Sequence, residues 1–285
     1  MKVSVGRVVT RLAGIVGVVV AVGVIPAAPA LADPAGLVLT GANSVENSSD
    51  KLVTALCPTG KVVSGGGGYL VANPAARGRV ALDRLEPLAS GAGFTAVMRE
   101  AGPTDYLGDW ALTAKAHCVT QPAGYQVVAV TGPAEEQYVT ASCGTKRVIG
   151  MGGRVNGGGG GDVVLDQVVP SFDLKSVTVR GFPVPNSQTN GWTVTSFAVC
   201  ATAPPVLTRL TLATVSSSDA DQSVSTSCPA GQALYSLGAD IQAANGEVLL
   251  TGVNNGPADV VRVWANEYAG GWSGNWTIRA YGICG

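Results

Sequence analysis

The sequence predicts an all-β protein made of three tandem antiparallel β-sheet repeats of about 80 residues, each closed by one disulfide. Three observations lead to this prediction. A cysteine-led segment recurs with a period of about 85 residues, short Val- and Thr-rich runs are broken by Gly, Pro and Asn, and no stretch shows sustained helical periodicity. We expect a pseudo-threefold arrangement, either as small sandwiches in a row or as three sheets around one axis in a β-prism-like way.

The N-terminal segment has the pattern of a secretory signal peptide. Lys2, Arg7 and Arg11 precede the uncharged apolar run 13–25, and residues 30–32 form an A-x-A cleavage site. A transmembrane anchor is the alternative, but a membrane span needs roughly 18 or more apolar residues. We therefore expect residues 1–32 to be removed and the rest of the chain to be exported.

The expected mature chain is mildly acidic. Removing residues 1–32 takes away three of the 18 basic residues and none of the 19 acidic ones, which leaves a net charge of −4. This charge, and the lack of any run of basic residues, argue against a nucleic-acid partner. The six cysteines indicate disulfides, because exported proteins reach an oxidising environment in which disulfides persist.

Each repeat opens with a cysteine segment and closes with a Trp–Cys pair. The openings 54–68, 140–154 and 225–239 align without gaps. The closing pairs, with eight residues from Trp to Cys, are Trp110/Cys118, Trp192/Cys200 and Trp276/Cys284. These landmarks place the repeats at 37–121, 124–203 and 205–285. Because the spacing is even, Trp and Cys lie on one face of the closing strand, which we predict to face the core.

The repeats favour one disulfide inside each unit, although six cysteines allow many pairings. The predicted pairs are Cys57–Cys118, Cys143–Cys200 and Cys228–Cys284. Each pair closes a loop of about 60 residues, which stabilises the fold by about 4 kcal/mol in the chain-entropy model. The alternative joins neighbouring repeats through Cys118–Cys143 and Cys200–Cys228 and ties Cys57 to Cys284.

Two glycine-rich tracts, 64–69 and 156–162, do not form a phosphate-binding loop. Neither is followed by the lysine and the helix that such a loop requires. We expect a β-bulge or a close backbone approach in the first tract and a flexible hairpin tip in the second.

The residues that enzymes use for acid–base chemistry do not form a recognisable set. The single histidine, His117, lies on the face opposite the Trp–Cys face, so it points to solvent or to a second sheet. Asp83 and Asp166 occupy matching positions, and Glu100 and Glu267 precede the Trp of repeats 1 and 3. A glycosidase needs two carboxylates roughly 5–10 Å apart, and the sequence places no such pair. We predict turn or strand-edge carboxylates and no enzymatic activity.

Repeat 3 carries additional aromatic residues close to its end. Trp264, Tyr268 and Trp272 lie beside Glu267 in the Gly-rich segment 263–276, which reads partly as a loop. Exposed rings of this kind suit the faces of sugars, with polar groups bonding the hydroxyls. We take these four as candidate ligand-binding residues; the alternative is that Trp264 and Trp272 enlarge the core.

The repeats follow the pattern CPxGxxVxxGG, then LD or LT, then W-x-V-T-x-x-A-x-C. This pattern resembles a tandem repeat of uncharacterised secreted actinobacterial proteins. The resemblance covers most of residues 37–285 in three copies, and it implies export but no mechanism. In plan alone, the repeats are also similar to the β-prism of vitelline-membrane outer-layer proteins, which places three Gly-rich β units about a pseudo-threefold axis. The period here is much longer.

These features favour a secreted, multivalent protein that binds a polysaccharide or another cell-surface polymer without catalysis. It would be extracellular or associated with the cell wall, and weak sites on linked repeats would act together. The alternatives are a structural surface protein that assembles with itself, and a secreted hydrolase that uses the carboxylates. No cofactor, metal ion or integral membrane segment is expected in the mature chain, since widely spaced cysteines and one histidine make a poor metal-ligand set.

Overall fold

The computed structural model describes residues 36–285 apart from positions 72, 159, 188, 203–205 and 258. The predicted signal peptide, residues 1–32, lies outside the described residues. Within them, no helix has both the length and the apolar character of a membrane span. The described chain is all-β, as predicted, with one short 3-10 helix at Pro74–Ala76.

Each repeat contributes six strands in the same order. Repeat 1 contains β1 (Val38–Asn43), β2 (Lys51–Leu56), β3 (Lys61–Val71), β4 (Val80–Pro87), β5 (Gly93–Glu100) and β6 (Ala111–Thr120). Repeat 2 contains β7 (Gln126–Thr131), β8 (Tyr138–Ser142), β9 (Arg147–Asn156), β10 (Val163–Pro170), β11 (Ser176–Pro183) and β12 (Thr193–Ala201). Repeat 3 contains β13 (Thr208–Ala213), β14 (Asp221–Ser227), β15 (Leu234–Gln242), β16 (Val248–Asn255), β17 (Val260–Glu267) and β18 (Thr277–Cys284).

The strands form three six-stranded antiparallel sheets, and each sheet combines strands of two repeats. Sheet 1 has the order β1-β6-β3-β16-β17-β14, sheet 2 the order β13-β18-β15-β10-β11-β8, and sheet 3 the order β2-β5-β4-β9-β12-β7. The first, third and sixth strands of every repeat therefore lie in one sheet, and the second, fourth and fifth strands lie in another. The three repeats are interlocked in a ring.

The two halves of each sheet meet at a short seam. Strand β3 pairs with β16, β15 with β10 and β9 with β4, each through two residue pairs. The seam strands β3, β9 and β15 also contact one another, so the three sheets surround a common axis. This is the predicted pseudo-threefold, β-prism-like arrangement, and not a row of separate sandwiches.

Glycine allows the backbones of neighbouring repeats to meet near this axis. A Cβ atom added to Gly67, Gly152 or Gly238 would collide with a carbonyl oxygen of another repeat. The carbonyls are those of Val253, Leu85 and Val168, respectively. Repeat 3 therefore keeps Gly238 although it has lost the rest of the glycine tract. The predicted close backbone approach is present.

The second glycine tract is not the hairpin tip that the sequence suggested. It carries the chain from β9 in sheet 3 to β10 in sheet 2, around a corner of the prism. Gly161 has a φ of 129°, and a Cβ atom there would collide with the carbonyl oxygen of Glu100. Glycine is needed at this position because the corner of one repeat packs on the backbone of another.

The β-bulges show that the repeats do not align without a gap. Register shifts place the bulged residues at Ser64 in β3, Ile149 in β9 and Tyr235 in β15. Ser64 and Tyr235 follow the leading cysteine of their repeat by seven residues, but Ile149 follows Cys143 by six. The turn after Cys143, which lacks the proline, is therefore one residue shorter than the other two.

The Trp–Cys face of each closing strand points into the core, as predicted. Trp110, Trp192 and Trp276 are buried in one cluster together with the closing cysteines. In β6 the residues between Trp and Cys on the same face, Leu112, Ala114 and Ala116, are fully buried as well. The whole row therefore belongs to the core between the sheets.

The three predicted disulfides are present, one in each repeat: Cys57–Cys118, Cys143–Cys200 and Cys228–Cys284. The leading cysteine follows the second strand of its repeat and the closing cysteine lies in the sixth, and these strands belong to different sheets. The bonds join sheet 3 to sheet 1, sheet 2 to sheet 3, and sheet 1 to sheet 2, in that order. They therefore link all three sheets in a ring.

Candidate functional site

A groove of about 590 Å³ lies on the outer face of sheet 1, across the seam between repeats 1 and 3. In β17 the side chains alternate, so that Val261, Val263 and Ala265 enter the core while the residues between them face outward. The side chains that line the groove include Tyr69, Arg77, Asp221, Thr251, Asn254, Arg262, Trp264 and Asn266.

Trp264 and Tyr69 form the aromatic part of this groove. Their ring centroids are 6.2 Å apart, and their planes make an angle of 34°. Gly252 pairs with Tyr69 on one side and with Trp264 on the other. A Cβ atom on Gly252 would lie only 2.6 Å from the indole ring. The missing side chain therefore lets the Trp264 ring approach the strand.

A chain of polar contacts runs along one end of the groove. The hydroxyl of Thr251 donates to Oδ1 of Asn266, and Nδ2 of Asn266 donates to Oδ1 of Asp221. Nη1 of Arg77 lies 3.5 Å from Oδ2 of Asp221 in an ion pair whose two side chains are more than half exposed. Because its amide is held on both sides, Asn266 is oriented before any ligand arrives.

Arg262 and Asn254 lie at the other end of the groove, where they are paired across β16 and β17. Among the described residues, no donor reaches the buried Oδ1 atom of Asn254. Within the same residues the guanidinium of Arg262 has no ion-pair partner. This end of the groove therefore offers a positive charge.

The corresponding seam positions of sheets 2 and 3 carry charged residues. The seam pair Tyr69–Gly252 corresponds to Arg154–Arg84 on sheet 3 and to Asp240–Gln167 on sheet 2. The position of Trp264 corresponds to Val97 on sheet 3 and to Arg180 on sheet 2. The aromatic pair is thus specific to the seam of sheet 1.

The charged residues at the other two seams are engaged within the protein. Nη1 of Arg154 donates to Oε1 of Glu86 at 3.0 Å. Arg180 forms an ion pair with Asp166, and its Nη2 atom donates to the carbonyl oxygen of Ile241 at 2.6 Å. Carboxylates of the protein thus neutralise these arginines, although the buried Nε atoms of Arg84 and Arg154 have no hydrogen-bond partner among the described residues.

The matching carboxylates Asp83 and Asp166 are bulged residues inside β4 and β10, and Thr251 is the bulged residue of β16. Both carboxylates are buried in the sheets and not at turns or strand edges. Burial raises the pKa of Asp83 to about 6 and that of Asp166 to about 7, while the neighbouring arginines, Arg99 and Arg180, oppose the shift.

The carboxylates Glu100 and Glu267 hold the loops that lead to the closing strands. Oε2 of Glu100 accepts a hydrogen bond from the backbone N–H of Tyr106 at 2.9 Å. Oε2 of Glu267 accepts the equivalent bond from Trp272 at 2.9 Å, and its Oε1 accepts one from Nε1 of Trp276 at 3.3 Å. The same contact in two repeats indicates a structural role for both carboxylates.

Of the four predicted ligand-binding residues, Trp264 lines the groove, and Tyr268, Trp272 and Glu267 lie apart from it. Tyr268 packs on a small apolar cluster that combines all three repeats: Ala81, Ala101, Val164, Val184 and Leu249. Trp272 packs against the main core. The structure therefore does not bring the four residues together as one surface.

His117 is buried between sheets. Of the two expectations, that it points to solvent or to a second sheet, the second is therefore confirmed. Its ring is fully buried, and Nδ1 lies 2.8 Å from the carbonyl oxygen of Leu234 in β15. Burial lowers the pKa of His117, and the Leu234 carbonyl only partly opposes this shift. The residue does not line the groove.

Several groove residues escaped the sequence analysis. Arg262 precedes Trp264 at a spacing of two, so the period of a β-strand already places both on one face, together with Asn266, one of the polar neighbours expected beside the rings. That signal was hidden because the segment reads as a loop, whereas β17 continues to Glu267. Tyr69 carries no such signal, since it comes from repeat 1 and reaches the groove only through the seam.

A comparison of the chain with protein-family models found no match, and a comparison with curated proteins found none either.

Proposed function

We propose that this protein is a secreted, non-catalytic binding protein that holds a glycan or a related cell-surface polymer in the groove of sheet 1. The observation that carries the proposal is the Tyr69–Trp264 pair, which is partly exposed in a groove lined mainly by polar side chains. Ligand sites typically combine aromatic surface with a few fixed polar groups. The disulfides are compatible with an extracellular location.

The groove supplies complementary contacts for a sugar ring. The indole of Trp264 offers a flat apolar surface for the C–H face of the ring, and burial of that face from water drives the contact. Asn266 and Asp221 present fixed polar atoms at one side, and Arg262 presents its guanidinium at the other.

The proposal assigns one site to the protein and not three equivalent sites. At the seams of sheets 2 and 3 the positions of the aromatic pair are occupied by Arg154 and Val97, and by Asp240 and Arg180. The multivalent mode suggested by the repeats therefore gives way to a single groove in which repeats 1 and 3 both participate. Avidity would then require several copies of the protein.

The first experiment is retention of residues 33–285 on insoluble polymers, namely peptidoglycan, chitin, cellulose and starch, at low and high salt. We expect retention on one polymer to survive salt and to fall at least tenfold in Trp264→Ala, because aromatic anchors carry a large share of binding energy. Phe172→Ala is the matched control, since Phe172 is 90% exposed in the turn between β10 and β11, outside the groove.

Equal loss in both variants, or equal retention of both, contradicts the assignment of the groove. Passage of the unaltered protein through every polymer contradicts the glycan-binding proposal itself. In that case light scattering at increasing protein concentration tests the alternative of a self-assembling surface protein, and turnover of the same polymers tests the hydrolase alternative.

A further inference from the structure

We infer that the groove of sheet 1 selects a saccharide that carries an anionic group, and that Arg262 is the residue that recognises this group. The inference rests on the proposed glycan-binding function and adds the class of ligand. It concerns the charge of the sugar, which the aromatic pair alone does not select, because an aromatic ring stacks on neutral and acidic sugars alike.

The order of residues along β17 supports this inference. Arg262, Trp264 and Asn266 face outward at successive positions of the same strand face. Neighbours at a spacing of two are about 7 Å apart along a strand. A sugar stacked on Trp264 therefore has the fixed amide of Asn266 at one side and the guanidinium of Arg262 at the other. The guanidinium lies against Gly256, and this exposed side chain would turn towards a carboxylate or phosphate on the bound sugar.

The charge distribution in the groove gives the second argument. Arg77 and Asp221 form an ion pair with each other, so their charges largely cancel at one end. Arg262 then leaves an excess of one positive charge among these groove side chains, on a protein whose overall net charge is −1. Planar guanidinium groups bind carboxylates and phosphates through two parallel hydrogen bonds, which suits Arg262 to either anion.

The arginines at the other two seams provide the third argument. Arg84, Arg154 and Arg180 occupy the corresponding positions at the seams of sheets 2 and 3, and each forms an ion pair with a carboxylate of the protein. Arg262 differs from them, since no ion-pair partner is present for it among the described residues. The internal carboxylates that neutralise the arginines of two seams are replaced at the third by an open groove. An anionic ligand would complete the same arrangement there.

The test is an array of oligosaccharides in matched pairs, probed with residues 33–285. Uronic-acid oligosaccharides are paired with their carboxyl-reduced forms, and phosphorylated oligosaccharides are paired with their dephosphorylated forms. We expect binding to the acidic member of at least one pair to be about tenfold stronger than binding to its neutral member, because a hydrogen-bonded charge pair accounts for such a ratio. The type of pair that responds identifies the anion.

Arg262→Gln is expected to bring both members of the responding pair to the same affinity. Arg79→Gln is the matched control, because Arg79 is exposed in the same part of the molecule, does not line the groove and changes the net charge equally. It should leave the ratio unchanged. Unchanged melting temperatures of both variants would show that they remain folded.

The outcomes separate the inference from the function on which it rests. Equal binding of acidic and neutral members overturns the selection of an anion and leaves glycan binding intact. A preference for the acidic member that survives in Arg262→Gln overturns the role of Arg262. Binding to no member of the array contradicts glycan binding, and the inference falls with it.

Discussion

Single glycines decide whether the three sheets can meet around the axis. Gly238 illustrates this, because it alone remains of the tract in repeat 3 and its Cα faces the Val168 carbonyl of repeat 2. The sequence analysis predicted a close backbone approach at such a position, because a glycine within a strand has few other uses. It could not identify the opposing carbonyl, since that atom belongs to a residue about 70 positions away.

We predict that Gly238→Ala destabilises the protein by about 1–3 kcal/mol or more, because the added methyl group forces the strands apart. Gly270→Ala is the control, since a Cβ atom there has no neighbour within 4 Å. Urea unfolding measures both. If the two variants have the same midpoint, the close approach at Gly238 does not limit the packing of the sheets.

The buried His117 makes stability depend on pH. Its pKa is lowered in the folded protein, so at acidic pH the unfolded chain binds one more proton than the folded chain. The free energy of unfolding therefore decreases as the pH falls below about 6.5. The decrease due to His117 is about 1.4 kcal/mol per pH unit. Asp83 and Asp166 act in the opposite direction, because their stabilising contribution is lost as the pH rises through about 6 and about 7.

We predict that His117→Val, which introduces the residue found at the matching position of repeat 2, removes most of this acidic dependence. The free energy of unfolding, measured by urea titration between pH 4 and pH 7, should fall less steeply towards acid than in the unaltered protein. Asp83 and Asp166 are present in both proteins, so their effect cancels in the comparison. Parallel pH profiles of the two proteins would contradict the assignment.

At the scale of strands, the closing strand of each repeat was predictable, and the pairing of half-repeats was not. The even spacing of Trp110 and Cys118 placed both in the core, and the structure confirms it. The seams rest on two residue pairs each, such as Tyr69–Gly252, and neither residue type indicates a partner in another repeat. The candidate site was therefore predictable only in part: Trp264 belongs to it through β17, and Tyr69 joins it through a seam.

The disulfides act at the corners between sheets, and we predict that each one stabilises the whole prism. Removal of Cys143–Cys200 by substitution of both cysteines with alanine should reduce the free energy of unfolding by about 2–4 kcal/mol. The folded variant should still be retained on the polymer, because this bond joins sheets 2 and 3 and the groove lies on sheet 1. An unchanged urea midpoint would show that the corner holds without the bond.

At the scale of the whole molecule, the interlocking of repeats makes folding a property of all three together. The six strands of repeat 1 are divided between sheets 1 and 3, and in each sheet the other half comes from a different repeat. A single repeat therefore exposes two seams and the apolar side of two half-sheets. Short sheets of this kind have little stability in water without a packing partner.

We predict that the isolated segment 37–121 is unfolded as a monomer, and that it folds only if several copies assemble and supply the missing halves. Circular dichroism combined with sedimentation measures structure and mass together. A folded monomer of this segment would contradict the interlocked arrangement. The full segment 33–285 is the control and should sediment as a folded species under the same conditions.

The central claim is that one groove, on sheet 1, binds the ligand, although the fold repeats three times. Calorimetric titration of residues 33–285 with soluble oligosaccharides of the polymer that retains the protein tests this directly. We predict a stoichiometry of one ligand per protein and the loss of the binding signal in Trp264→Ala. A stoichiometry of three, or a full signal in Trp264→Ala, would place binding on features common to the repeats and contradict the account.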